Sequence, residues 1–515
     1  LTTNKELELK LSLSQHLYSA EQVKSGEIKA AAKLNIAMYE LMERAGKAVF
    51  DVISQHYPQK KRWLVYAGAG NNGGDAYVVA RLAKETGIDV SLMAVLTSQN
   101  LSGDAAQAQQ AWLDCGGQII NIGDHHPERD DLIIDGLLGT GVSREVEGEY
   151  KTAVQQINDS SCIVVSIDVP SGIDADTGRV WGEAVVADIT VTFVGVKSGL
   201  VTGSGRGHAG ALVFDDLGVG VAFQETTVPK ANHVNFAMLP PLPKRKNHTY
   251  KGECGKLLCI GSNKGMAGAI RLSGEAALRC GAGLVKVLCH DSNVHSVLSG
   301  RPELMVSGDI SELGRLYEWA DVVVIGPGLG RNDWSRAVLN SLLALSVKAP
   351  KPMVVDADAL SMSDHFPQLT KLKSCVMTPH SGEAARMLGQ PASTIEENRY
   401  ESATQLAVKY GATIVLKGAG TIIDDQLSTW VCEDGNPGMA TAGMGDVLCG
   451  VLGALLANGL SIKNAVTYAV CIHSHAADII AAEKGPKGLL ASDLFEPLRR
   501  LVNFDNAVST NNERR

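Results

Sequence analysis

The sequence carries no excess of basic residues: 47 Lys and Arg stand against 56 Asp and Glu, a formal net charge of −9. That balance leaves no electrostatic footprint for nucleic acid or an anionic membrane, so anionic ligands must be bound locally. Paired cysteine spacings are also lacking. The ten cysteines are scattered singly, without a C-x-x-C or a zinc-type pairing, and most fall in apolar runs where a thiol behaves as a small hydrophobe. Reduced thiols in a cytoplasmic protein are the expectation. No stretch of about 20 apolar residues exists to span a bilayer. The opening LTTNKELELKLSLSQHLYSAEQ mixes acids and bases and has no apolar h-region, which argues against a secretory signal.

What is present is a globular composition, 45% hydrophobic and 20% charged, in 515 residues, too long for one ordinary core; two domains are expected. The 54 glycines suit many tight turns between strands and helices. From Leu34 on, Met38, Leu41, Met42, Ala45, Val49, Val52 and Ile53 recur at helical spacing. Strands follow at 63–68, 90–95, 118–122, 131–137, 162–170 and 189–195, mostly separated by helical patterns. Near-continuous apolar strands alternating with helices predict a mainly parallel sheet covered on both faces, with ligands at the carboxyl ends of its strands. Three polar clusters fall at such ends: NNGGD at 71–75, DGLLGTG at 135–141 and DVPSG at 168–172. Each alone is equally good turn chemistry.

A polar, proline-bearing run between Phe223 and Lys256 predicts a boundary near residue 230, after which KLLCIGSNKGMAGAIRLSGEAALRCGAGLVKVLC starts a second βαβ pattern with no detectable repeat of the first half. Two later strands end in GPGLG (326–330) and in DADAL (356–360). The run GNPGMATAGMGDVLCG, 435–450, then places Gly443 to Gly445 before the helical pattern Val447, Leu448, Val451, Leu452 and Leu455. A glycine-rich helix N-terminus attracts anions through unpaired N–H groups and the helix dipole, and Asp446 stands where a carboxylate could take a proton from an attacking hydroxyl. A lone G-x-G-D is equally an ordinary capped loop.

The whole of that run, with GPGLG, VVDADAL, TPHSGE at 378–383 and KGAGT at 417–421, resembles the ADP- or ATP-dependent NAD(P)H-hydrate dehydratases, a ribokinase-like family. The three clusters of the first half together resemble the NAD(P)H-hydrate epimerases over roughly residues 20 to 225. Many relatives carry glycine where Ala76 and Ala442 stand. The resemblance implies an α/β chain: a Rossmann-like three-layer αβα epimerase domain at 1–230 and a ribokinase-like αβα dehydratase domain at 231–515. It implies that Asn71, Asn72, Gly73, Gly74 and Asp75, with Gly139, Thr140, Gly141, Val142, Ser143, Arg144 and Glu145, line the hydrated dinucleotide. Asp168 would be the acid–base residue, and Asn72, Asp135 and Ser171 the potassium ligands, a cation suited to such oxygens. Lys197 is a candidate for charge compensation or, equally, a solvated lysine at a strand end.

In the second half the resemblance makes Ala269, Gly328, His380 and Asp446 substrate contacts and Lys417, Gly418, Ala419, Gly420, Thr421 and Gly445 nucleotide contacts, with Asp446 at the reacting hydroxyl. Asp356, Asp358 and Glu383 are candidates to hold Mg²⁺ with phosphate oxygens and water. The implied partners are hydrated NADH or NADPH and ADP or ATP, with no nucleic acid and no membrane, in a cytoplasmic homo-oligomer such as a tetramer. A rival reading makes the first half a ligand-binding or scaffolding module on a ribokinase-like vitamin or small-molecule kinase.

Overall fold

The computed structural model describes residues 15–95, 101–129, 131–365, 367–372 and 374–503. The opening stretch inspected for a targeting signal lies largely outside them. The chain divides into two compact units, Leu1–His233 and Val234–Arg515.

The first unit is built on a seven-stranded, all-parallel sheet in the order Ile119–Asn121, Asp89–Ala94, Arg62–Ala67, Leu132–Gly136, Ile163–Ile167, Ile189–Phe193, Ala211–Asp215. Side chains alternate along a strand, so Trp63 and Val65 join one apolar cluster and Leu64 and Tyr66 join another. Both faces are buried, which is why these strands read as unbroken apolar runs. Strand order reverses between Arg62–Ala67 and Leu132–Gly136, opening a crevice at their carboxyl ends.

The amphipathic pattern from Met38 is the helix Met38–His56. A second helix, Ala20–Lys33, precedes it, opened by a capping box in which Ser19 and Gln22 satisfy each other's backbone donors. NNGGD is not a turn but the first turn of the helix Asn71–Glu85. Gly73 and Gly74 serve its close approach to its neighbours: a Cβ on Gly73 would lie 2.0 Å from the Gly68 carbonyl oxygen, and one on Gly74 2.7 Å from Met42. Gly73→Ala should therefore destabilise the first unit by about 1–3 kcal/mol, since backbone rather than a side chain must yield; urea unfolding of the full chain checks it.

In the second unit the parallel strands run Met305–Ser307, Leu284–Leu288, Lys256–Ile260, Val322–Ile325, Met353–Val355, Cys375–Met377, Thr413–Leu416, and the antiparallel Thr421–Asp424 and Thr429–Cys432 follow. The helix Met444–Ala457 packs against Ala267–Arg279. The helix Ile462–Lys484 is long and apolar enough to cross a membrane, contrary to the expectation that no such stretch exists, but 61% of its apolar window is buried inside the protein. Its apolar residues belong to the core of this unit.

Candidate functional site

At the carboxyl ends of the first sheet lies a cavity of about 1040 Å³, at the upper end of the ~300–1,000 Å³ usual for ligand pockets. Asn71, Asn72, Asp75, Asp168 and Lys197 line it, as does the whole stretch Gly139, Thr140, Gly141, Val142, Ser143, Arg144 and Glu145. Gly73 and Gly74 do not; they face the packing described above.

Asp168 follows the strand Ile163–Ile167 with φ +63°, a left-handed conformation that costs a non-glycine residue energy and is held by its surroundings. Its Oδ1 accepts from Thr192 Oγ1 at 3.1 Å, from the Phe193 N–H at 3.3 Å and, at close range, from Lys197 Nζ. Lys197 is only 1% exposed and also donates to the Phe193 carbonyl at 2.9 Å. It is a buried ion-pair partner rather than a solvated strand-end lysine.

Of the further carboxyls in the cavity wall, Asp75 and Glu27 are shifted. Burial, reinforced by the negative Asp168 and opposed by Lys197, pushes Asp75 well above the usual carboxylate range and Glu27 up to about 7. Asp168, Asp75 and Glu27 thus lie near one buried ammonium, that of Lys197.

Behind the cavity wall, Asp135 is fully buried. Its carboxylate accepts from Ser171 Oγ at 2.5 Å, from the Ser171 N–H at 2.9 Å and from Ser166 Oγ at 2.8 Å. Burial raises its pKa, and the hydrogen bonds from Ser171 and Ser166 hold it back. Asn72 Nδ2 donates to the Leu138 carbonyl at 2.9 Å, and Ser171 Oγ accepts from the Leu138 N–H at 2.8 Å. Asn72 Oδ1 is buried and, among the described residues, finds no donor. Asn72, Asp135 and Ser171 therefore form an oxygen-rich nest with one unused acceptor.

In the second unit the dispersed motifs converge. Gly443 caps the helix Met444–Ala457 at φ +91°, where a side chain would be strained and would meet Leu272 at 2.7 Å. The following N–H groups have no partner within the helix, as at any helix start. A Cβ on Gly445 would stand 3.2 Å from Lys417 Nζ and 3.4 Å from Asp356 Oδ2. Lys417 pairs with Asp356 Oδ1 at 2.6 Å, and its backbone N–H bonds Pro379 O beside a parallel bridge to His380. Gly328 lies against Ala269, whose Cβ would be 3.0 Å from one added to the glycine. Gly330 N–H donates to Asp358 at 2.8 Å, tying that loop to the acidic strand end. Gly418 to Gly420 form the turn between Thr413–Leu416 and Thr421–Asp424, with Thr421 Oγ1 donating to the Gly418 carbonyl.

Asp446 is pushed up to about 7 by burial, with Asp356 and Asp358 adding to the rise and Lys417 opposing it. For Asp356 burial works against the charge, but Lys417 outweighs it and holds the carboxyl below its ordinary value. His380 caps the helix Ser381–Leu388: its Nδ1 accepts from the Gly382 N–H at 3.0 Å while Glu383 accepts from the His380 N–H at 2.9 Å. More than half of the imidazole side chain remains exposed.

Of the three candidate magnesium carboxylates, Asp356 and Glu383 both approach Lys417 Nζ, at 2.6 and 4.0 Å, and each of the three has hydrogen-bond partners. Asp356 is engaged by Lys417 and by Cys449 Sγ at 3.2 Å, Asp358 by Gly330 and Arg331, and Glu383 by His380.

Lys417→Met would leave Asp356 buried without its cation, a loss of about 3–5 kcal/mol. The pair's contribution is present above the unfolded carboxyl pKa and is lost as pH falls through the lower folded value. The variant's deficit, measured by urea unfolding, should accordingly be full at pH 7 and shrink in acid.

Motif reading missed Glu27, Cys449 and Arg399. The Arg399 side chain is fully buried and donates to the Leu416 and Lys417 carbonyls at 3.1 and 3.3 Å, bracing the strand end that carries Lys417. An arginine within the helical pattern Arg399–Tyr410 gives no signal of burial. For Glu27 the S-A-E-Q run at 19–22 could have signalled a helix start, but not which side of the helix faces the cavity.

A family model described as NAD(P)H-hydrate dehydratase matches residues 257–500, and one described as YjeF-related protein N-terminus matches 38–199. The bifunctional NAD(P)H-hydrate repair enzyme Nnr of Escherichia coli K12 is 44% identical over 501 residues, covering 96% of this chain and 95% of that protein. Its counterpart from Vibrio cholerae is 40% identical over 499 residues, 96% and 99% of the two chains. Among solved structures, the ADP/ATP-dependent NAD(P)H-hydrate dehydratase from Bacillus subtilis co-crystallized with ATP/Mg²⁺ is similar with 29% identity and a TM-score of 0.46, covering 51% of this chain and 93% of that one.

Proposed function

The chain belongs to the bifunctional NAD(P)H-hydrate repair enzymes, and we propose that its two activities divide between its two units, epimerisation in residues up to about 230 and dehydration in the remainder. It is an enzyme of cofactor repair, an epimerase and a dehydratase acting on NADH and NADPH to which water has added. The observation that carries the division is the presence of two separate carboxylate–lysine constellations, Asp168 with Lys197 and Asp356 with Lys417 beside Asp446, one in each unit.

In the first unit the hydrated ring sits near Asp168, and the stretch Gly139 to Glu145 contacts the dinucleotide. Asp168, oriented by Thr192, Phe193 and Lys197, exchanges a proton with the ring nitrogen or hydroxyl, either route scrambling the stereocentre. Glu27 and Asp75, with raised pKa values, supply and accept the compensating proton. A potassium ion fits the oxygens of Asn72, Asp135 and Ser171: the unused buried Asn72 acceptor and the Asp135 charge are what a weakly charged cation would satisfy. Such an ion would supply charge compensation for Asp135.

In the second unit the hydroxyl of the S epimer lies at Asp446, with Ala269, Gly328 and His380 around the substrate and Lys417 to Thr421 and Gly445 around the nucleotide. Asp446 takes the hydroxyl proton as the phosphoryl group arrives, and the helix N-terminus and Lys417 balance the charge developing on phosphate oxygens. Phosphate leaves carbon far better than hydroxide, so elimination then restores the ring double bond. Magnesium that arrives with the nucleotide would be held by phosphate oxygens and water, its common mode, since the nearby carboxylates are engaged. We further propose ADP as the working nucleotide and a homo-oligomer in the reducing cytoplasm, a compartment suited to ten free cysteines.

The test is incubation of the full chain with pure R or pure S hydrate and with ADP or ATP separately, read at the NADH absorbance band. The reading expects nucleotide-dependent recovery from both epimers, faster with ADP. A chain that phosphorylates a vitamin-type alcohol but returns no NADH would overturn it.

A further inference from the structure

The strand Thr429–Cys432 and the helix Ile462–Lys484 bring together a set of donors that neither active site uses. Cys432 Sγ lies 3.7 Å from Cys471 Sγ, and a carboxylate oxygen of Asp434 falls within 4.8 Å of both sulfurs. Cys471, His475 and Asp478 follow at helical spacing and so share one face of the helix. Asp434, His475 and Asp478 form a second such group that shares Asp434 with the first.

We propose that this cluster is a site for a soft divalent cation of the zinc type, with Cys432, Cys471 and Asp434 as ligands and water in the fourth position. The sulfur separation carries the geometry. With Zn–S near 2.3 Å and tetrahedral angles, two thiolates on one zinc stand ~3.8 Å apart, and the two sulfurs here are already 3.7 Å apart without any rearrangement. Two thiolates with a carboxylate select zinc or cobalt over magnesium or calcium, which prefer oxygen alone. Binding exchanges two thiol protons for the metal; they leave to solvent as the two M–S bonds form.

The surroundings support coordination. Asp434 is oriented by the Phe236 N–H, which donates to its Oδ2 at 2.6 Å and leaves Oδ1 facing His475 Nδ1 at 3.7 Å. The Phe236 ring stacks on His475 at 4.7 Å between centroids, fixing the imidazole plane. The sulfurs are fully buried, whereas the His475 side chain is 35% exposed and gives the ion a route in. Asp478 belongs to an outer layer: its oxygens accept from the Gly435 N–H at 2.7 Å and from Asn436 Nδ2 at 2.8 Å. A metal here would pin the strand end to the helix one residue before Gly435, where the glycine-rich run to Asp446 begins.

The experiment is a titration of the full reduced chain, stripped with chelator, with Co²⁺ and then with Zn²⁺ under anaerobic conditions. The proposal expects a thiolate-to-cobalt charge-transfer band in the near ultraviolet that saturates at one equivalent and is bleached by Zn²⁺. It expects the paired substitutions Cys432→Ala and Cys471→Val, both compatible with an apolar core, to abolish the band and weaken Zn²⁺ binding by about 100-fold or more. The wild-type titration needs no variant to fold: no thiolate band, or a band beyond one equivalent only, overturns the site, leaving the two thiols as a buried hydrogen-bonded pair. Zinc affinity equal in the double variant overturns it as well.

Discussion

Asp446→Asn should abolish nucleotide-dependent recovery of NADH from the S hydrate while leaving epimerisation at the wild-type rate. The loss expected for a positioned general base is about 10²- to 10⁴-fold in kcat, and the amide keeps the shape of the site, so substrate KM should move little. Asp446 is suited to the role because burial among Asp356 and Asp358 brings its pKa to about 7, where the proton leaves and returns at physiological pH. Dehydration by the wild type should consequently climb through about pH 7 as Asp446 loses its proton. Stability runs the other way. A carboxyl whose folded pKa is raised contributes most below its unfolded value, and that contribution is lost as pH rises through about 7. Asp446→Asn should thus match the wild type below about pH 4 and exceed it at pH 8 by on the order of 1–3 kcal/mol. Unfolding curves at the two pH values and S-hydrate kinetics check both halves; a variant that dehydrates normally removes Asp446 from the chemistry.

Asp168→Ala should stop enzymatic interchange of the epimers without touching dehydration of pure S hydrate. The expected loss is again about 10²- to 10⁴-fold, bounded below by the spontaneous rate. The rate to follow is the disappearance of the R epimer with dehydratase in excess, set against an enzyme-free control. Asp168 does two things at once: it holds a backbone conformation at φ +63° and it is the partner of the buried Lys197. Alanine therefore also leaves an ammonium bonded only to Thr192 Oγ1 and the Phe193 carbonyl. Asp168→Asn separates the two roles, since it keeps an acceptor for Lys197 but cannot take a proton. Loss of epimerisation in both variants assigns the chemistry to the carboxylate, and retention in Asn assigns it to Lys197 or a neighbour.

Strands were legible because burial on both sheet faces writes them as apolar runs; WLVYAG at 63–68 appears as Arg62–Ala67 and ITVTFVG at 189–195 as Ile189–Phe193. The glycine-rich entry to the helix Met444–Ala457 was legible for a similar reason, since anion-binding helix starts need small residues at fixed places. What could not be read was pairing across the fold. The spacing of Lys197 and Asp168 along the chain gives no hint that one side chain buries itself to reach the other, and Cys432 and Cys471, 39 positions apart, look like two single core thiols. One partner of the magnesium candidates was hidden in the same way: Asp356 meets Lys417 from the end of another strand, whereas the bond from the His380 N–H to Glu383 is a local capping contact. The turn assigned to NNGGD failed differently. Two adjacent glycines lower helix propensity, and here tight packing against Gly68 and Met42 overrides it.

The most direct test of two complementary and separable sites is mixing two impaired proteins. Pure R hydrate is incubated with ADP and Asp168→Ala alone, with Asp446→Asn alone, and with both together, and NADH absorbance is followed. The account predicts recovery only at the spontaneous epimerisation rate with the first, none with the second, and restored rapid recovery with the mixture, because the S hydrate released by one protein is dehydrated by the other. A mixture no faster than Asp168→Ala alone, from proteins that fold normally, would contradict it.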